Sequence, residues 1–314
     1  MKRLSMALVA LVAAFLAWSQ DDTVRRAEQA MADERYPEAI RLFTELLKSD
    51  PANTGLRMNL GLACHSAGQY ARAAEQFEAV LKSRPDFAPA SLLLGLSYAR
   101  LGEPAKAVPP LERAHEADPA NYTAHFELAN ALRASSRYEE AAGHYYQLVQ
   151  RNPNFAPAWQ GLVLAYTLLA KRAPAAALSP EPACPADPLA CEFDEGRYWQ
   201  IADAVRNDGS PRAQYWRKRA WSALAGRAFA NFAALPPTGE THELLAEIYD
   251  AQDKRAEAID EWKQALELTP DSAEVNYRLG EALLRSGKPA EARPYLQKAA
   301  KLGSPGARRL LGPR

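Results

Sequence analysis

The residues that could carry chemistry in this 314-residue chain are few and scattered. Of three cysteines, Cys184 and Cys191 stand close together and Cys64 stands apart. In an oxidising compartment so close a pair forms a local disulfide, worth about 2–3 kcal/mol if the loop is unstrained. Metal binding is the other reading, but no His or second Cys pair lies nearby in sequence to complete a site. The pattern Cys-x-x-Cys-His of haem attachment is absent. His65, His115, His125, His144 and His242 form no His-x-x-x-His spacing, so neither a metal nor a catalytic histidine is expected. There is no glycine-rich phosphate loop, nucleophile elbow or paired-carboxylate motif. The expectation is a chain with no catalytic residue, metal or cofactor, although an active site assembled from distant residues would leave no such motif.

Charged residues are arranged more suggestively. Glu240, Glu243, Glu247 and Asp250 fall at i, i+3, i+7 and i+10, which is one face of a helix. Glu274 and Glu281 stand 34 residues after Glu240 and Glu247. A basic and aromatic run, Arg212, Tyr215, Trp216, Arg217, Lys218, Arg219 and Trp221, has two readings. It suits a nucleic-acid surface. It suits better a helix whose aromatics pack inward under the stems of Arg and Lys.

Composition narrows the partner class. The chain is 48% hydrophobic and 24% charged, so it is neither disordered nor a multi-span membrane protein. Its 38 basic and 38 acidic residues cancel, which argues against nucleic acid.

The N-terminus reads as an export signal: Lys2 and Arg3, an apolar run from Leu4 to Ala17, then Ala17-Trp18-Ser19 before Gln20. The run is too short to span a bilayer, so residues 1–19 are expected to be cleaved; a membrane enters only if they are not. No Cys stands near the cut for lipid attachment. The expected location is periplasmic or secreted.

A ruler of 34 residues organises the rest. Pro51, Pro85, Pro119 and Pro153 are spaced at that interval. Ala39, Ala73, Ala107 and Ala141 precede them, then Phe43, Phe77, Leu111 and Tyr145; further back stand Ala27, Gly61, Gly95 and Ala129. The ruler resumes with Ala258, Trp262 and Pro270, then with Ala292, Leu296 and, one residue late, Pro305. Each unit holds two amphipathic stretches of helical period. Small residues let the helices cross closely, large ones fill the gaps between, and proline ends the second helix. Gly68, Gly102 and Gly287 fall in the turns, where a left-handed conformation is often needed. Leu60-Gly61…Cys64 is one of the amphipathic stretches.

Segments such as Leu94-Gly95…Tyr98…Ala107…Leu111…Pro119 resemble the tetratricopeptide repeat family, over residues 20–172 and 239–306. The resemblance implies an all-α fold, a right-handed superhelical solenoid of antiparallel helix pairs. It also implies that the first helix of each pair lines the concave surface. That surface would then carry the acidic residues, with Tyr277 among them as an apolar platform. Upstream it would carry Met58, Leu62 and His65, then Leu92, Leu96 and Arg100, then Phe126, Asn130 and Arg133. Such a groove, grading from apolar and basic to acidic, suits an extended or helical peptide held in one direction. The lysine-and-asparagine clamp of some family members is not clearly reproduced.

The ruler breaks after Pro153. Trp159…Leu162…Tyr166 begins a fifth repeat, but Pro174, Pro180, Pro182, Pro185 and Pro188 interrupt it. Residues 173–192 read as an inserted loop, and Gly196…Ile201…Val205 as the delayed second helix. Residues 193–238 read as a degenerate repeat region, in which 211–235 is one helix or two, and 239–314 as a closing pair with a tail. The function expected is a non-enzymatic scaffold for a protein or peptide. The alternative is an accessory part of an envelope enzyme or assembly system, with chemistry or self-association in 173–235.

Overall fold

The computed structural model describes residues 22–174 and 183–312; the expected signal segment lies outside them. The described chain is helical throughout, with no strand. None of its helices is long and apolar enough to cross a membrane. It divides into two compact units at Ser136/Arg137.

The first unit holds α1 (22–32), α2 (Tyr36–Ser49), α3 (Thr54–Ser66), α4 (Tyr70–Ser83), α5 (Ala88–Arg100), α6 (Pro104–Ala117) and α7 (Tyr122–Ala134). From α2 to α7 each helix packs on the next, as a solenoid of hairpins requires. The helix starts are written locally: Asn53 accepts from Leu56 N at 3.0 Å, and Asn121 from Ala124 N at 3.0 Å. Phe43, Phe77 and Leu111 are fully buried. Cys64 is a buried free thiol, and burial pushes its pKa up.

The small and large positions of the ruler touch. A Cβ added to Gly61 would lie 2.6 Å from Phe77 Cε1, and one added to Gly95 would lie 2.4 Å from Leu111 Cγ. The hairpin turns also keep the ruler. Residues 34, 68, 102 and 136 all take positive φ: Glu34 57°, Gly68 73°, Gly102 74° and Ser136 63°. Geometry, not residue type, fixes the left-handed turn, since only two of the four are glycine. Proline is less absolute a stop than expected: α6 runs through Pro109 and Pro110.

The second unit holds α8 (Tyr138–Arg151), α9 (Ala156–Arg172), α10 (Pro188–Asp194), α11 (Tyr198–Ala204), α12 (Pro211–Ala233), α13 (Gly239–Ala251), α14 (Arg255–Leu268), α15 (Ala273–Arg285), α16 (Pro289–Lys301) and α17 (Pro305–Leu311). The helix pairing of α9 corrects the sequence reading: its main partner is α12, not α11. Residues 211–233 form one continuous helix of 23 residues, unbroken at Gly226. Within the described part of the stretch expected to resist helix, residues 188–190 are helical, while 175–182 lie outside the described residues. Pro188 opens α10, where its missing N–H costs nothing, and Asp187 caps Leu189 N at 2.9 Å.

Aromatic packing explains the exchange of partners. Tyr166 of α9 stacks on Trp221 of α12 with ring centroids 5.9 Å apart, and Trp199 of α11 meets both rings edge-on. Trp199 Nε1 donates to Tyr166 Oη at 3.0 Å, and burial pushes the Tyr166 phenol up. Helix α11 has only seven residues, too short for the apolar face that a packed helix of this repeat presents. It rides on α12 instead.

Candidate interaction surface

The acidic residues sit on α13 and α15, the first helices of two successive pairs. Helix α13 begins with a capping box between Thr238 and Thr241, and α15 with Ser272 accepting from Val275 N at 3.2 Å. Glu240 and Glu274 fall in the first turns, where the helix dipole favours negative charge.

The surroundings of the carboxylates differ. Glu247 accepts from Gln160 of α9, a residue absent from the sequence reading. Asp250 is paired with Arg285 at 2.8 Å. Arg278 donates to Glu274 at 2.7 Å and lies 3.5 Å from Glu281. The i, i+4 spacing of Glu274 and Arg278 was a readable signal for that pair. Glu240 and Glu243 have no hydrogen bond or ion pair to any described residue. Glu243 is half-buried, and its carboxyl titrates above the usual range. Burial is the first cause; the charges of Glu247, Glu240 and Glu274 add to it. The structure thus gathers three carboxylates around one desolvated member.

Tyr277 departs from its expected role as an open platform. Its hydroxyl donates to Glu281 at 3.2 Å, and its ring lies against Gly306 of α17, where an added Cβ would stand 2.9 Å from Cε2. The closing helix covers part of the ring.

In the first unit Arg100 is exposed on α5, while Phe126, Asn130 and Arg133 are partly buried on α7; Asn130 Nδ2 lies 3.5 Å from Glu127 Oε2. Met58, Leu62, Leu92 and Leu96 are likewise half-buried. His65 is engaged with the neighbouring first helix, Nδ1 to Ser97 Oγ at 3.0 Å. Burial lowers its pKa, and Arg100 lowers it further. Although scattered in sequence, His115 of α6 and His125 of α7 stack with centroids 4.2 Å apart.

The described end of the insert, residues 183–192, is held by a covalent bond and by contacts to α12. Cys184 and Cys191 are joined, S–S 2.10 Å. The basic and aromatic run folds as the inward-packing reading requires. Trp216 and Trp221 are buried, Arg212 pairs with Asp187, and Arg219 lies over the Phe193 ring at 4.7 Å. Arg217 donates to the carbonyls of Val205, Arg206 and Asp208, closing the turn between α11 and α12.

Comparison with curated proteins finds no match. Among solved structures the chain is similar to a mutant of MamA, with 25% identity, 49% of this chain and 89% of that one covered, and a TM-score of 0.45. A further MamA structure shows 26% identity over 57% and 93% of the two chains, TM-score 0.45. The first tetratricopeptide repeat domain of Spaghetti (RPAP3), bound to an HSP90 peptide, shows 22% identity over 37% and 93%, TM-score 0.36. The tetratricopeptide repeat model matches residues 24–86, 66–122, 92–157 and 244–307, more than half of the sequence. With that match and the helix pairs in both units, the chain belongs to the tetratricopeptide repeat family, an all-α solenoid fold that serves as a scaffold for protein–protein interaction.

Proposed function

We propose that this protein is exported and acts, without catalysis, as a scaffold that takes a protein or peptide on the face formed by the first helices α13 and α15 of its second unit. The acidic end of that face receives basic residues of the partner. The observation that carries the reading is Glu243, half-buried among Glu240, Glu247 and Glu274 with no cation of its own. A desolvated, unneutralised carboxylate costs the folded chain stability, and a cationic partner recovers it on binding. Charge sets the direction in which a segment lies on this face. Export is supported by the pattern of residues 1–19 and by a bonded cysteine pair, which suits an oxidising compartment.

The test is affinity capture from an envelope extract, comparing the native chain with one carrying Glu243→Lys, Glu247→Lys and Glu281→Lys. Partners with basic segments should be lost from the variant; an identical captured set refutes the acidic end as a contact surface. N-terminal sequencing of the expressed protein tests export separately, with Gln20 expected as the first residue.

A further inference from the structure

Helices α9 and α12, which pack on each other, border a cavity. Helix α12 has 23 residues where the other second helices, such as α14, have 14 or fewer. Its middle carries small side chains, and a Cβ placed on Gly226 would meet nothing within 4 Å. Between this stretch, the C-terminal part of α9 and the turn joining α13 to α14 lies a cavity of about 430 Å³. That is within the range of about 300–1,000 Å³ usual for small-molecule sites. Phe229 forms part of its apolar wall and packs on Tyr249 with ring centroids 5.6 Å apart.

The polar lining combines three lysines with Thr167, Ser222 and Gln252. Lys171, Lys218 and Lys254 come from three different segments. Lys171 is already committed, donating to Ala251 O at 2.7 Å and Asp253 Oδ2 at 3.0 Å. Lys254 lies over the Tyr249 ring at 5.6 Å, and neither it nor Lys218 has a carboxylate partner among the described residues. Two lysines without a carboxylate partner thus line a half-apolar cavity, Lys218 partly buried and Lys254 exposed. Among the described residues no arginine contributes to this lining, which thus lacks the planar fork that best matches phosphate oxygens.

We propose that this cavity binds a small amphiphilic monoanion, a carboxylate carried on a short apolar body. The carboxylate lies between Lys218 and Lys254, and the apolar part rests against Phe229 and the small residues of α12. The site is independent of the acidic face.

Octanoate is the probe, titrated into the whole chain by calorimetry. Binding is expected with Kd of about 1 mM or tighter, with octanol and acetate each at least about tenfold weaker because each lacks one half of the match. Two variants make the assignment specific. Lys218→Gln with Lys254→Gln should weaken octanoate about tenfold or more while leaving octanol unchanged. Gly226→Leu should fill the cavity and abolish binding while raising the melting temperature, since leucine is the better helix former. No octanoate binding to the native chain, octanol binding equal to octanoate, or full octanoate binding by a folded Gly226→Leu chain overturns the proposal. A leucine-ended peptide with a free C-terminus separates the two sources of such a group. Tighter binding of octanoate assigns the pocket to a free acid, and tighter binding of the peptide assigns it to a chain end.

Discussion

Trp216 and Asp187 are joined by a buried hydrogen bond, indole Nε1 to carboxylate Oδ2, at 2.9 Å. The same oxygen accepts from Arg212 Nε at 3.0 Å, and Oδ1 caps Leu189 N at 2.9 Å. One carboxylate therefore starts α10 and ties the insert to α12. Replacing Asp187 with alanine removes the cap and leaves a buried indole N–H unpaired. The expected cost is about 2–3 kcal/mol, read as a lower denaturation midpoint and faster proteolysis within 183–210.

The same residue has an acid limb. Arg212 first, then the indole and the Leu189 amide, hold the Asp187 carboxyl below its usual range. A depressed folded pKa contributes stability that is present above the unfolded value of 3.8 and lost as pH falls through the lowered one. Asp187→Asn should therefore flatten the fall in stability below about pH 4, measured by thermal melts at stepped pH.

Glu243 has the opposite sign. Burial and three neighbouring carboxylates raise its pKa. Its stabilising contribution is then greatest below the unfolded value of 4.5 and is lost as pH rises through the folded one. Glu243→Gln should raise the melting temperature at pH 7 and remove the gain that the native chain shows on acidification towards pH 5. Equal melting temperatures of the two chains at pH 7 would remove the basis for a strained acidic face.

Close packing between Gly95 and Leu111 predicts a sign reversal of helix propensity. Gly95→Ala favours an isolated helix by about 1 kcal/mol. Here the new methyl would meet Leu111 Cγ at 2.4 Å. The net change expected is destabilisation of about 1–3 kcal/mol. Adding Leu111→Ala should relieve part of it, and a double-mutant cycle in denaturant should show coupling between the two positions.

The left-handed turn at Glu34 predicts a gain. With φ of 57° and no Cβ needed there, Glu34→Gly should stabilise the chain by roughly 1 kcal/mol. The reverse change, Gly68→Ala at φ 73°, should cost about as much. Chemical denaturation of both variants checks the pair.

The 34-residue spacing of Gly61, Gly95, Phe77 and Leu111 determined the helix hairpins by itself, because each hairpin is a local object: short turns join helices whose contacts recur at one fixed separation. The acidic face of Glu240, Glu243 and Glu247 was legible for the same reason, since one helix places them together. Tertiary structure alone decided that α9 takes α12 as partner across the insert. That choice rests on Tyr166 meeting Trp199 and Trp221, rings 33 and 55 positions away in the chain, and no periodicity records such a contact. It likewise decided that Tyr277 is backed by Gly306 and that Lys218 and Lys254 border one cavity, because both depend on how non-adjacent helices fill space rather than on the pattern along any one of them.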